Sequence, residues 1–230
     1  MTGPFALVAH DLRLQYRYGI YVAYAFVVGF YVLVLALGRG LLPAWGVGLV
    51  IYTDPAAVGF FFLGALMMLE KSENVRSALA ISPASAVQYL LGKAVTLTSV
   101  GLVASIVVML VHGAVSNPAL LIVAVLLTSL AFLALGVPIA LRFRTVNGYL
   151  VGSSGFLIPL IMPAGLALLE PMPIWLGLWP PVAQFRLILV AVGHASATPA
   201  ELALLLAVAA AGAATITVWA LAVLRRELGK

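Results

Sequence analysis

Cysteine is absent from the 230 residues. That excludes a disulfide framework and any thiolate metal site. Charge is scarce as well: Asp, Glu, Lys and Arg together make up 8% of the chain, whereas 64% is hydrophobic. Soluble domains carry roughly 25% charged residues, so the composition is that of a membrane protein. The three histidines, His10, His112 and His194, are scattered without metal-ligand spacing. No G-x-x-x-x-G-K-[ST] loop occurs; Gly92-Lys93-Ala94 lacks both the upstream glycine and the hydroxyl. The chain therefore cannot bind ATP by that device. The first residues lack an early basic region and an A-x-A-like site, so no cleaved signal peptide is expected. The net charge of +5 is not read as nucleic-acid binding, because basic residues in membrane proteins mark cytoplasmic loops. Neither a cofactor nor a metal is expected.

What is present is a series of long apolar runs. Residues 4–17 mix Phe5, Leu7, Val8, Leu12 and Leu14 with Asp11, Arg13 and Arg17. This segment is too short and too charged to cross a bilayer, and it reads as an interfacial amphipathic helix. Tyr18 to Gly38 then runs for 21 residues without a charge; about 20 suffice for a transmembrane helix. Tyr16, Tyr18, Tyr21 and Tyr24 crowd its start as an aromatic belt. Residues 39–53, broken by Gly40, Pro43, Gly46 and Gly48, read as an external loop. Asp54-Pro55 reads as the N-cap and first turn of the next span. Ser85 and Gln88 form a candidate capping box, and Asn117-Pro118 and Thr198-Pro199 mark two further helix starts. Pro159 and Pro163 predict a kink or break in the fifth span.

The expected architecture is an all-α membrane protein in a single transmembrane domain, with six spans at about 18–38, 55–70, 90–113, 118–141, 148–169 and 199–224. Residues 171–193 contain four prolines and Arg186. Spanning would cost roughly 2.5–3.5 kcal/mol for the arginine alone, so an external re-entrant hairpin between spans five and six is expected. With the N-terminus inside, ten of the twelve Lys and Arg fall on the cytoplasmic side, all but Arg39 and Arg186. This positive-inside bias predicts a multi-pass protein of the cell inner or plasma membrane with both termini cytoplasmic. No Asp, Glu, Lys or Arg lies near the middle of any span so assigned, which argues against proton coupling. Asp54 is the nearest candidate relay.

The longest polar interruption runs from Glu70 to Lys93, EKSENVRSALAISPASAVQYLLGK. An amphipathic N-terminal helix, two spans, and then E-K-x-E-x-x-R-x-A-L-x-x-S-P followed by Y-L-x-x-K resembles the ABC-2 type transporter permeases. The likeness is greatest to the small subunits described as fluoroquinolone or antibiotic exporters. Asn74-Val75 stands where many relatives carry Gly-Thr. The resemblance implies an efflux permease, linked to antibiotic resistance, that works as a homodimer or pair of related permeases with two copies of an ATP-binding subunit. It also implies a cytoplasmic coupling helix over residues 70–82. The coupling residues would be Glu70, Lys71, Glu73, Arg76, Ser82 and Pro83, and the permease itself would perform no chemistry.

Other readings attach to particular residues. Gly152-Ser153-Ser154-Gly155 matches the G-x-S-G of intramembrane serine proteases, but Ser154 has no expected base nearby, and small-residue helix packing explains the motif better. An ion-coupled secondary transporter is the other alternative. The stripe Ala203, Ala207, Ala211 and Thr215 reads as a helix contact. Phe60, Phe61, Phe62, Met67 and Met68 read as core or lipid-facing residues rather than a drug path. Whether Arg186 pairs with Glu170 is open.

Overall fold

A computed structural model describes residues 4–38, 42–73, 85–113 and 115–229. Every regular element among them is helical. The helices are α1 (Pro4–Arg17), α2 (Ile20–Leu37), α3 (Ala44–Ala57), α4 (Leu63–Ser72), α5 (Ala86–His112), α6 (Pro118–Ala140), α7 (Val146–Ile161), α8 (Pro180–Ala191) and α9 (Pro199–Leu228). A π-helical turn, Val58–Phe62, joins α3 to α4 without interruption. Six stretches are long and apolar enough to cross a membrane: Ile20–Leu37, Ala44–Lys71, Ala86–His112, Pro118–Ala140, Val146–Leu168 and Pro199–Glu227. The chain is a multi-pass membrane protein.

Several helix starts are set by side-chain caps. Ser85 Oγ accepts from Gln88 N at 3.2 Å, and Gln88 Oε1 accepts from Ser85 N at 3.0 Å, the reciprocal box expected from the sequence. Asn117 Oδ1 accepts from Leu120 N at 3.0 Å ahead of Pro118. Thr198 and Glu201 form a second box. Pro159 lies inside α7, which tightens into a 3₁₀ helix over Met162–Leu168. Buried hydroxyls bond back to their own helices, as Thr128 does to Ala124 O at 2.8 Å, because the surroundings offer no water.

The central element is α6, which packs on α3, α4, α5, α8, α9 and the π turn. Its lower half is buried almost continuously from Ala131 to Ala140. By contrast α2 has only Ile20, Tyr24 and Leu35 buried. Helix α9 turns Leu205, Ala209, Ala213, Ala220 and Leu224 inward. The expected contact stripe Ala203, Ala207, Ala211 and Thr215 is exposed, facing away from the rest of the chain. Phe60, Met67 and Met68 are buried in the core.

The second span departs from expectation. Residues 44–53, expected in a loop, are helical, and Pro43 occupies the N-cap position. Asp54 is therefore not a cap: it lies well inside the helix and is buried. Two physical reasons account for this. Backbone at membrane depth must bond within its own helix, and Gly48, one of the residues that suggested a loop, serves packing instead. A Cβ on Gly48 would meet Leu189 Cδ2 of α8 at 3.0 Å.

Between Trp179 and Val192 lies α8, 12 residues long with ten of them buried. At a rise of about 1.5 Å per residue it is too short to cross a bilayer. Pro180 and Pro181 begin this helix rather than break one, since proline's missing N–H is unneeded in a first turn.

Helix α7 meets α4 through Tyr149, which is fully buried and donates its hydroxyl to Phe60 O of the π turn at 2.5 Å. The ring lies directly over Gly64, where an added Cβ would stand 1.9 Å from Tyr149 Cζ. Gly64→Ala is expected to destabilise by about 1–3 kcal/mol, the usual range for overpacking. Gly155→Ala meets nothing within 4 Å and is expected to leave stability unchanged. Thermal unfolding of the two variants in detergent distinguishes them.

Candidate functional site

Three polar groupings stand inside this apolar bundle among the described residues. The first gathers residues from three elements at the end of the bundle where α1 lies. Lys93, on the second turn of α5, is fully buried. Its Nζ lies 2.5 Å from Glu70 Oε1 and 3.2 Å from Asp11 Oδ1. Tyr89, one turn earlier on the same face, donates its hydroxyl to Glu70 Oε2 at 2.5 Å. The Lys93 ammonium also sits 4.7 Å from the Tyr89 ring centroid. One turn beyond Lys93, Gln15 Nε2 of α1 donates to Thr96 Oγ1 at 2.7 Å.

The electrostatics are those of one cation serving two acids. Burial pushes the Asp11 carboxyl above its usual range; the Lys93 charge opposes this, and the Glu70 charge adds to it. Helix α1 is thus docked on α5 by Asp11, Leu14 and Gln15, while Leu12 and Tyr16 face outward. The periodic mixture that suggested an interfacial helix hides this, because two of the three inward residues are polar.

The sequence-predicted coupling residues separate in the structure. Glu70 is buried and faces Lys93. Lys71 and Glu73 are exposed, and Glu73 lies 3.7 Å from Arg17 on the surface. Exposed pairs of this kind contribute little, about 0–1 kcal/mol. Arg76, Ser82 and Pro83 lie outside the described residues. Asp11 and Lys93 were not singled out as partners by sequence reasoning; the i, i+4 spacing of Tyr89 and Lys93 was the available signal.

The second grouping centres on Asp54, 10 residues into the span Ala44–Lys71. The expectation that no Asp, Glu, Lys or Arg lies near the middle of a span is therefore overturned. The hydroxyl of Tyr24 donates to Asp54 Oδ2, and Tyr31 lies close enough to act electrostatically on the same carboxylate. Tyr24 thus faces a partner inside the bundle rather than a headgroup belt.

At the opposite end of the bundle, the open question about Arg186 is answered. It is buried and pairs with Glu170 at 2.8 Å; it also donates to Ala167 O at 2.9 Å and Ser196 O at 3.3 Å. Ser154 donates its hydroxyl to Leu150 O of its own helix at 2.8 Å, and no base bonds to it among the described residues. No grouping of three His, Asp or Glu among the described residues could hold a metal ion.

Removing one partner from a buried ion pair strands the other. Lys93→Met is expected to destabilise by about 3–5 kcal/mol, because Glu70 and Asp11 both lose their counter-charge. The additional change of Glu70→Gln and Asp11→Asn should restore much of the loss. Thermal unfolding of the single and triple variants measures this, and equal stability of Lys93→Met and the unaltered chain would refute it.

No family model matches the chain, and no solved structure matches it. Two curated relatives do: the fluoroquinolones export permease proteins of Mycobacterium tuberculosis strains CDC 1551 / Oshkosh and ATCC 25618 / H37Rv. Each is 30% identical over 132 residues, which is 57% of this chain and 53% of the relative. The chain thus spans about half the length of the curated relatives it matches. Over that stretch, and with six long apolar helices, it resembles an antibiotic export permease.

Proposed function

We propose that the chain is the membrane permease of an ATP-driven exporter of the ABC-2 type, moving drugs or other amphipathic compounds. The similarity to fluoroquinolone export permeases carries this reading. In this reading ATP hydrolysis belongs to a separate subunit, which the lack of a phosphate loop favours, and two copies of it would serve a pair of permease chains. Both termini and residues 70–82 lie in the cytoplasm in this reading, as the distribution of Lys and Arg favours.

The Lys93 cluster gives the proposed coupling segment a physical route into the membrane. Residues 71–92 leave from Glu70 and return to Lys93, and these two side chains hold each other at 2.5 Å. A partner pressing on the segment would move the ends of α4 and α5 together. Asp11 would carry α1 along. Rigid-body tilting of paired spans is what alternating access requires.

Asp54 favours a second reading, an ion-coupled secondary transporter, since intramembrane acids commonly lie on proton paths. Collapsing the proton gradient at constant ATP separates the two. Export that continues supports the ATP-driven reading, and export that stops supports the other.

Charge reversal at two charged positions of the segment tests the docking. Glu73→Lys with Arg76→Glu is expected to leave the chain folded while uncoupling nucleotide hydrolysis from export. The two are measured together in vesicles containing this chain and its ATP-binding subunit. Unchanged export in the double variant would remove the segment from the mechanism.

A further inference from the structure

The structure points to Asp54 as an intramembrane site for an organic cation: we propose that, with Tyr24 and Tyr31, it binds the ammonium group of a lipophilic transported compound. The proposal rests on the export reading only for the identity of the cargo.

Several independent observations converge on this carboxylate. Asp54 is 4% exposed and lies about 15 Å along its helix from Ala44, at a rise of 1.5 Å per residue. Among the described residues, no lysine, arginine or histidine bonds or pairs with it. The other buried carboxylate of the same span, Glu70, has Lys93. The other buried charge outside that cluster, Arg186, has Glu170. Among the described buried charges, Asp54 is the one whose hydrogen-bond partner is a phenolic hydroxyl and not an opposite charge.

The tyrosines are arranged for this single acceptor. Tyr24 and Tyr31 lie seven residues apart, so they share one face of α2. Tyr24 donates its hydroxyl to Asp54, and Tyr31, on one face with it, lies within electrostatic reach of the same carboxylate. Tyr24 further packs edge-to-face on Phe62, with ring centroids 6.1 Å apart. Carboxylate charge beside aromatic rings is a pairing that attracts organic cations, through the ion pair and through the ring faces.

The surroundings supply a means of entry. Helix α2 is mostly exposed, with three buried residues, and packs chiefly on α1 and α5. Tyr31 is only partly buried. A small outward shift of α2 would uncover Asp54 from the side of the bundle. On the other side of the carboxylate, Pro55 and the π turn Val58–Phe62 interrupt the regular α-helical ladder. Such turns often accompany functional sites.

A purely structural clip would hold the Tyr24 hydroxyl equally well with asparagine, which is neutral and of the same shape. The charge is what the proposal requires. The test therefore measures binding of ethidium, a lipophilic quaternary ammonium, to the full chain in nanodiscs of zwitterionic lipid. Nile red serves as an uncharged probe.

Asp54→Asn is expected to weaken ethidium binding by about ten-fold or more while leaving Nile red binding and the thermal unfolding midpoint unchanged. Tyr24→Phe is expected to weaken ethidium binding less, because one hydroxyl and not the charge is removed. Undiminished ethidium affinity in Asp54→Asn would overturn the proposal, as would parallel loss of both probes. The measurement uses neither nucleotide nor an ATP-binding subunit. Failure of nucleotide-driven export would leave a positive binding result standing, and the reverse also holds.

Discussion

The fold depends on an ammonium ion held where water is excluded. Lys93 takes a carboxylate from α1 and another from the end of α4, and its own helix contributes Tyr89 to the same acid. These groups lie as much as 82 positions apart in sequence. Each charge alone would be expensive to bury, and their mutual contact with full hydrogen bonding makes burial tolerable. The arrangement fixes where the first helix lies and how the second and third spans meet. A shared cation specifies geometry more narrowly than apolar side chains, which pack acceptably in many registers.

The same constraint governs the rest of the bundle. Arg186 would be intolerable in an apolar interior, yet α8 holds it against Glu170 and two backbone carbonyls. Seryl and threonyl hydroxyls return to carbonyls of their own helices. The opening of the helix at the π turn is matched by the Tyr149 hydroxyl, which reaches the Phe60 carbonyl. Polar atoms here are few, and most have a named recipient.

Much of this was legible in the residues. Long uncharged runs announced the apolar helices, and Ser85, Asn117 and Thr198 marked starts that the structure keeps. Pro159 announced the change to a tighter helix. The error at residues 44–54 has a specific origin. Glycine and proline are local signals of a turn, whereas at Gly48 the missing side chain makes room for Leu189, 141 positions later. That choice is tertiary and leaves no local trace. The polar cluster was obscure for a related reason. Lys93, Glu70 and Asp11 each looked like a charge at a water-facing boundary, and only the packing of α1 onto α5 turns them inward. Asp54 reads chiefly as a cap, and as a relay only second, because Pro55 after it fits a helix start.

The π turn has one more consequence. A π turn accommodates an extra residue within a helix, and each residue in an α-helix rotates the side-chain direction by about 100°. The half of the span above Val58 and the half below Phe62 are therefore set at a rotational offset that their neighbours have accepted. Asp54 meets α2 on one side of the offset, and Glu70 meets α5 on the other. Shortening the span by a single residue anywhere between them would twist one acid away from its donors while leaving the apolar character of the span intact. The length of this stretch is thus as strictly specified as any side chain in it.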